Sequence, residues 1–453
     1  MHQFNRRKFL QLGCKTIAAA GLAATTSARL SHANSSAPGD EYRALVCINL
    51  KGGNDGFNML VPRSGAAYQE YANDRGHLAI KSDDLIAIDP LSANTTLVGL
   101  HPNMASLKPI FNQGHLGFQA NVGTLVEPVD AEEVRNKTAK LPQQLFSHHD
   151  QTRQWQQLDH FSDAYSGWGA RATDLLANHQ ANPNLTAISL SGSNDWLNGG
   201  EQSPFNVSAN GINGYSGMDK LDSNWQEPRR QAFLQLLHQR YSNLFAQEYA
   251  DLQARALVLS SNVGAALNKL GDLQTPVPED NKLAAQLAMV AKLIAIKDEF
   301  RMTRQLYYVN LGGFDTHDNQ LKEQPELFSK LSAALAFFHE ALGEIGQLNN
   351  VTSFTTSDFG RTVTSNGDGT DHGWGNHHIV MGGSVAGADI YGTMPRIAVD
   401  GPDDARNGRI VPTTAASQYA ATSLRWLGMN ETELDTLLPT LRNFNQRDLG
   451  FLG

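Results

Sequence analysis

Hydrophobic residues gather along the chain in five short runs of one design, at 44–50, 116–122, 185–190, 305–311 and 351–356. Each is rich in β-branched or aromatic residues and ends in a small polar cluster, in order KGGNDG, NVGT, SGSND, GGFDTH and SDFGRT. Runs this short and this apolar fit strands buried on both faces. Amphipathic helical spacing fills several of the gaps, at 103–111, 284–296 and 327–345. Strand, polar loop and helix in repetition predict an α/β fold, a largely parallel central sheet with helices on both faces. Ligands of such sheets bind beyond the carboxyl ends of the strands, so the polar clusters are expected to face one crevice.

Residues 225–300 break the rhythm. Phe233, Leu234, Leu236, Leu237, Tyr241 and Leu244 follow helical spacing without strand signals, which predicts a mostly helical insertion within a single domain spanning 34–453. Ahead of that domain, Arg6-Arg7-Lys8-Phe9-Leu10, an Ala-rich run over 17–24 and Ser31-His32-Ala33 form the pattern of a twin-arginine export peptide, residues 1–33. Its apolar run is far shorter than the ~20 residues of a spanning helix, so no stable membrane anchor is expected. This places the mature protein in the periplasm or outside the cell, with the twin-arginine translocase as a partner during export.

Composition narrows the choice of partner. The leader holds Arg6, Arg7, Lys8, Lys15 and Arg29 and no acids, so losing it takes the formal net charge from −9 to −14. So acidic a chain is not a nucleic-acid binder. About 420 residues remain, enough for one large domain or two ordinary ones. Cys47 is then the only cysteine, which excludes an internal disulfide.

Acids and imidazoles crowd the predicted strand tips. Asp55, in Gly52-Gly53-Asn54-Asp55-Gly56, either points into the crevice as a ligand or sits in an ordinary tight turn. Asp315 and His317 are two apart, on one side of an extended segment, unless the Asp merely caps a helix. Asp358 closes the last run; Arg361 nearby suits the oxygens of phosphate or sulfate, or else balances Asp358. Asp371-His372-Gly373-Trp374-Gly375-Asn376-His377-His378 sets three imidazoles in a Gly-rich loop. Carboxylates and imidazoles of this kind hold divalent cations, with Zn, Mn, Mg and Ca left undistinguished. Ser147, before a helical stretch, is a natural N-cap and also suits a nucleophile beside helix amides. His148 or His149 is a further ligand or substrate contact.

Taken together, LKGGNDGFNMLVP, Leu100-His101-Pro102, SHHDQTRQW, GGFDTH, SDFGRT, DHGWGNHH and Gly408-Arg409-Ile410-Val411-Pro412 resemble a large bacterial domain-of-unknown-function family, numbered 1501. That family is similar to the alkaline phosphatase and sulfatase superfamily, and the resemblance covers essentially the whole mature chain. It implies an alkaline-phosphatase-like fold with metal clusters at the carboxyl ends of the sheet and a Ser or Thr nucleophile at a helix start. On that pattern Asp55 is the early ligand, Ser147 the nucleophile, Asp315 and His317 the middle pair, Asp358 the later acid, and His372 or His377 the final imidazole. Three features depart from it: the middle pair is spaced D-x-H, Phe359 stands where phosphatases have a His, and the formylglycine segment of sulfatases is missing.

The expected activity is that of an exported, metal-dependent hydrolase of phosphate or sulfate esters, acting on an anionic small molecule or glycan ester. Attack comes from a metal-activated Ser147 or from hydroxide formed at the metal, with Arg361 clamping the anion. Two other classes stand beside it: a catalytically degenerate binding or assembly protein of the same fold, and a metal-independent Ser147 hydrolase.

Overall fold

In the computed structural model, residues 41–92, 97–159, 165–212 and 226–453 are described; the export peptide expected at 1–33 lies outside them. A nine-stranded sheet runs through the molecule. Its strands are β1 (Arg43–Lys51), β2 (Leu116–Gly123), β3 (Ala187–Ser189), β4 (Phe205–Asn206), β5 (Arg304–Gly312), β6 (Val351–Ser357), β7 (Asn376–Met381), β8 (Ile390–Tyr391) and β9 (Thr414–Ala415). They lie in the order β8-β2-β7-β6-β1-β5-β3-β4, with β9 also paired to β2. All five apolar runs of the sequence are strands of this sheet.

Every pairing is parallel except those of β7, which runs against both β2 and β6. At the centre the register places Lys51 of β1 beside Gly312 of β5, and Leu50 beside Ser357 of β6. Three strands therefore end level, and the loops after them emerge on one rim. Because β7 is reversed, its first residue, Asn376, pairs with Val122 near the end of β2, so the residues just before it lie on that rim too.

Alternation along β1 shows why the sheet is covered twice. Ala44, Val46, Ile48 and Leu50 join one apolar core, and Leu45 and Cys47 the other. The first core is capped by helices α4 (Lys282–Ala295) and α5 (Gln320–Glu344), whose Leu287, Ile294, Phe328 and Leu335 are fully buried. On the opposite face lie Trp155 of α1 (His148–Gln157) and Tyr419 and Leu424 of α6 (Ala416–Leu427). Each fully buried Leu, Ile or Phe contributes about 1.5–3 kcal/mol. The helical run after residue 225 divides in two. Helices α2 (Gln226–His238) and α3 (Leu244–Leu270) present Leu236, Phe245, Tyr249 and Val258 to solvent, whereas α4 belongs to the layer over the sheet. No helix among the described residues is long and apolar enough to cross a membrane.

Candidate metal centre

Gly52 and Gly53 turn the chain sharply as it leaves β1, with φ of +116° and +87°. Side chains do not fit there: a Cβ on Gly52 would sit 2.4 Å from the Asp315 amide nitrogen, and one on Gly53 2.3 Å from the Phe359 ring. The loops after β1, β5 and β6 are thereby drawn together. Arg361, fully buried at the start of the strand Arg361–Ser365, fastens them. Its Nε donates to Gly53 O, Nη1 to Thr370 O, and Nη2 to Gly52 O, Phe314 O and, at 2.5 Å, Asp315 Oδ1.

Four side chains converge above it: His148, Asp315, His317 and His372, each offering one ligand atom within 4.8 Å of the others. His148 opens helix α1, Asp315 and His317 follow β5, and His372 ends the short strand Thr370–His372. From Asp315 Oδ1 the distances are 3.3 Å to His148 Nε2, 3.2 Å to His317 Nε2 and 3.7 Å to His372 Nε2. Bonds of about 2.0–2.1 Å at tetrahedral angles put neighbouring ligand atoms about 3.3 Å apart, so these separations suit one cation. His317 Nε2 and His372 Nε2 lie only 2.7 Å apart. Two neutral acceptors do not meet at that distance, so either a proton joins them or they open slightly around an ion.

The far side of the rings settles their orientation. His148 Nδ1 faces Asp358 Oδ2 at 2.8 Å, and His372 Nδ1 faces the Phe146 carbonyl at 2.7 Å. His317 Nδ1 faces Asp371 Oδ1 at 3.5 Å. An acceptor at Nδ1 leaves the Nε2 lone pair aimed inward, the arrangement that metal-bound imidazoles adopt. His148 Nε2 is buried and has no hydrogen-bond partner. The residues present thus fit a cation. Three imidazoles with one carboxylate suit zinc, manganese or iron better than the oxygen-rich shells of magnesium and calcium.

Electrostatics agree with that fit. Burial alone would raise the Asp315 carboxyl, but the Arg361 hydrogen bond and charge outweigh it and hold it below its ordinary range. Burial lowers His372, with further lowering from the charges of His148 and Arg361 against the Phe146 carbonyl. The Asp358 hydrogen bond raises His148, against its burial. The Asp315 side chain is 48% exposed, and those of His148 and His317 36%, so the cluster opens to solvent.

The sequence-derived ligand set is thus partly redrawn. Asp315, His317 and His372 come together, and His148 joins them. Asp358 stands one step behind, holding His148, with its Oδ1 buried and lacking a hydrogen-bond partner. Asp55 is not among them: it is buried, with Oδ1 on Arg75 at 2.5 Å and Oδ2 on Gln320 at 2.6 Å. A carboxylate so deep needs a charged partner, and Arg75 supplies it. His377 is also outside the group. It is buried in β7, where Nδ1 accepts from the Asn121 amide and the ring stands edge-on to Phe57. Arg361, expected to clamp the anion, is instead fully buried, with each of its nitrogens on a partner inside the protein. Ser147 is the N-cap of α1, accepting from the Asp150 amide and donating to the Asp150 carboxylate. Phe359 packs on His148 and His372, with ring centroids 4.7 and 4.4 Å away.

Sequence reasoning also passed over Arg409, whose Nε donates to the His372 carbonyl at 3.1 Å and whose guanidinium lies 4.4 Å from the Phe146 ring centre. Its only signal was membership of a motif without a role.

These features define a mixed α/β protein with an Asp-His cluster on the carboxyl rim of its sheet. The chain belongs to the family described as "Protein of unknown function (DUF1501)", whose model matches residues 42–418. No curated protein matches it. Among solved structures it is similar to Ps i-CgsB, at 12% identity over 90% of this chain and 77% of that one, TM-score 0.36. Two others are the lipoteichoic acid synthase LtaP from Listeria monocytogenes (8% identity, 86% and 73% covered, TM-score 0.34) and the PsFucS1 sulfatase from Pseudoalteromonas sp. (11%, 91% and 73%, TM-score 0.34). At such identities the chemistry of the site rests on this chain's own residues.

Proposed function

We propose that the protein is an exported, metal-dependent hydrolase of phosphate or sulfate esters, with one cation held by His148, Asp315, His317 and His372. The observation that supports this reading is the convergence of three imidazole Nε2 atoms on one carboxylate oxygen while acceptors occupy their Nδ1 atoms or face them. A cation in such a site polarises an ester oxygen and makes water nucleophilic near neutral pH. The chain's own residues do the rest. Asp358 and the Phe146 carbonyl keep protons on Nδ1 of His148 and His372, so Nε2 stays free to bind. Arg361 holds Asp315 and the strand tips in place. Of the two attacking groups expected from sequence, water fits better than Ser147, whose hydroxyl is already engaged as a helix cap. The twin-arginine pattern at 1–33 supports export, in the periplasm or beyond the cell.

Metal analysis of purified protein tests this, followed by turnover of an aryl phosphate and an aryl sulfate. The expected result is about one bound ion per chain and hydrolysis of at least one ester, both lost in His317→Ala and His372→Ala. Protein that binds no transition metal overturns the reading. A second reading, a metal-bearing binding protein without hydrolytic activity, draws on the Phe359 ring lying against two of the imidazoles. Metal retained with neither ester turned over favours it.

A further inference from the structure

We propose that Arg409 grips the anionic head of the ligand, a tetrahedral oxyanion of the phosphate or sulfate class, at the edge of the cluster. The reaction it would serve rests on the metal-centre reading; its geometry does not. Arg409 is partly buried and placed between two neighbours of one imidazole: Nε donates to the His372 carbonyl, and the guanidinium stacks on the Phe146 ring. The Phe146 carbonyl in turn takes Nδ1 of His372. Phe146 does this at φ +74°, in the left-handed region that a bulky residue enters at a cost and that concentrates at functional sites.

The loop carrying Arg409 is equally fixed. Gly408, at φ +73°, lies so close to the strand Arg361–Ser365 that a Cβ would come within 2.9 Å of the Val363 and Thr364 nitrogens, and its carbonyl accepts from Val363 N at 2.8 Å. Among the described residues, Nη1 and Nη2 of Arg409 have no hydrogen-bond or ion-pair partner, whereas Arg361 has spent all of its nitrogens. A guanidinium held by Nε and by stacking keeps its outer edge for two parallel bonds to one oxyanion. Because the group is ordered beforehand, binding forfeits little side-chain freedom.

Calorimetric titration of inorganic phosphate and of inorganic sulfate tests this on the full chain, metal-loaded and chelator-treated, with metal content and melting temperature measured alongside. Wild type is expected to bind at least one of the two anions. Arg409→Met is expected to bind it at least about tenfold more weakly, the loss of a charge-assisted hydrogen bond, at unchanged metal content. Arg409→Lys keeps the charge and stem without the fork; should Arg409→Met melt early, Arg409→Lys must still weaken binding severalfold. Parity of the folded variant with wild type overturns the proposal, as does failure of wild type to bind either anion. Weakened binding in the variant, with wild type holding no metal, upholds Arg409 and sinks the metal centre alone.

Discussion

His148 Nδ1 and Asp358 Oδ2 lie 2.8 Å apart, joining the first residue of helix α1 to the residue that follows β6. The bond crosses 210 positions of sequence and decides which nitrogen of His148 faces the cluster. Asp358→Asn keeps the shape but no longer compels the same tautomer. The expected result is a roughly 10–100-fold loss of metal affinity, typical of a disturbed outer partner, with little change in melting temperature. Competition against a chromogenic chelator measures it, and unchanged affinity removes Asp358 from this role.

Removing ligands separates the cluster from the nearby imidazole that is not part of it. His317→Ala and His372→Ala are expected to abolish stoichiometric binding while leaving the fold intact, because both rings are partly exposed. His377→Ala should do the reverse, retaining metal but melting earlier, since it empties a core position and strands the Asn121 amide. Elemental analysis with differential scanning fluorimetry distinguishes the two patterns.

The Asp55–Arg75 pair is a matter of stability. Both side chains are fully buried, so Arg75→Met leaves a carboxylate without its counter-charge. Such a change typically costs about 3–5 kcal/mol. Urea unfolding of the metal-free protein gives the value, and a loss below ~1 kcal/mol would contradict the role assigned to Arg75.

Acid should weaken the fold through buried histidines. Burial lowers His377 and His378 to about 3 and His101 to about 4. The folded state holds these rings neutral, while the unfolded chain takes up their protons near ~6.5. Their contribution is therefore complete above that value and drains away as pH falls toward the folded values, by up to about 1.4 kcal/mol per pH unit for each ring. Urea midpoints of chelator-treated protein at pH 7.5 and 5.5 should drop on acidification. A flat profile excludes this coupling.

Gly53→Ala tests how the rim is built. The new methyl would meet the Phe359 ring at 2.3 Å, at a φ that disfavours any side chain. A loss of about 2–4 kcal/mol is expected from overpacking and backbone strain combined. The ring it displaces also touches His148 and His372, so metal affinity should fall with stability.

The sheet was legible because its strands are short, apolar and closed by polar turns. Strand β7 was not. Asn376-His377-His378 has the composition of a ligand loop, yet it begins a central strand in which His377 Nδ1 meets the Asn121 amide of β2 and His378 Nδ1 faces the Thr355 hydroxyl of β6, partners that a linear pattern does not reveal. Asp55 misled for a related reason: its partner Arg75 lies twenty residues on, in a stretch without any chemical signal. His148 and His149 are indistinguishable as letters. On a helix, adjacent residues point about 100° apart, and only the first is turned toward Asp358.

The four residues of the cluster are drawn from positions 148 to 372, and the loop that flanks it from position 409. A ribosome has thus released most of the polypeptide before the last imidazole can take its place. On the proposed reading, cation capture by this group has to follow synthesis of residue 372, and a truncated product ending before it would emerge with the ring of donors incomplete.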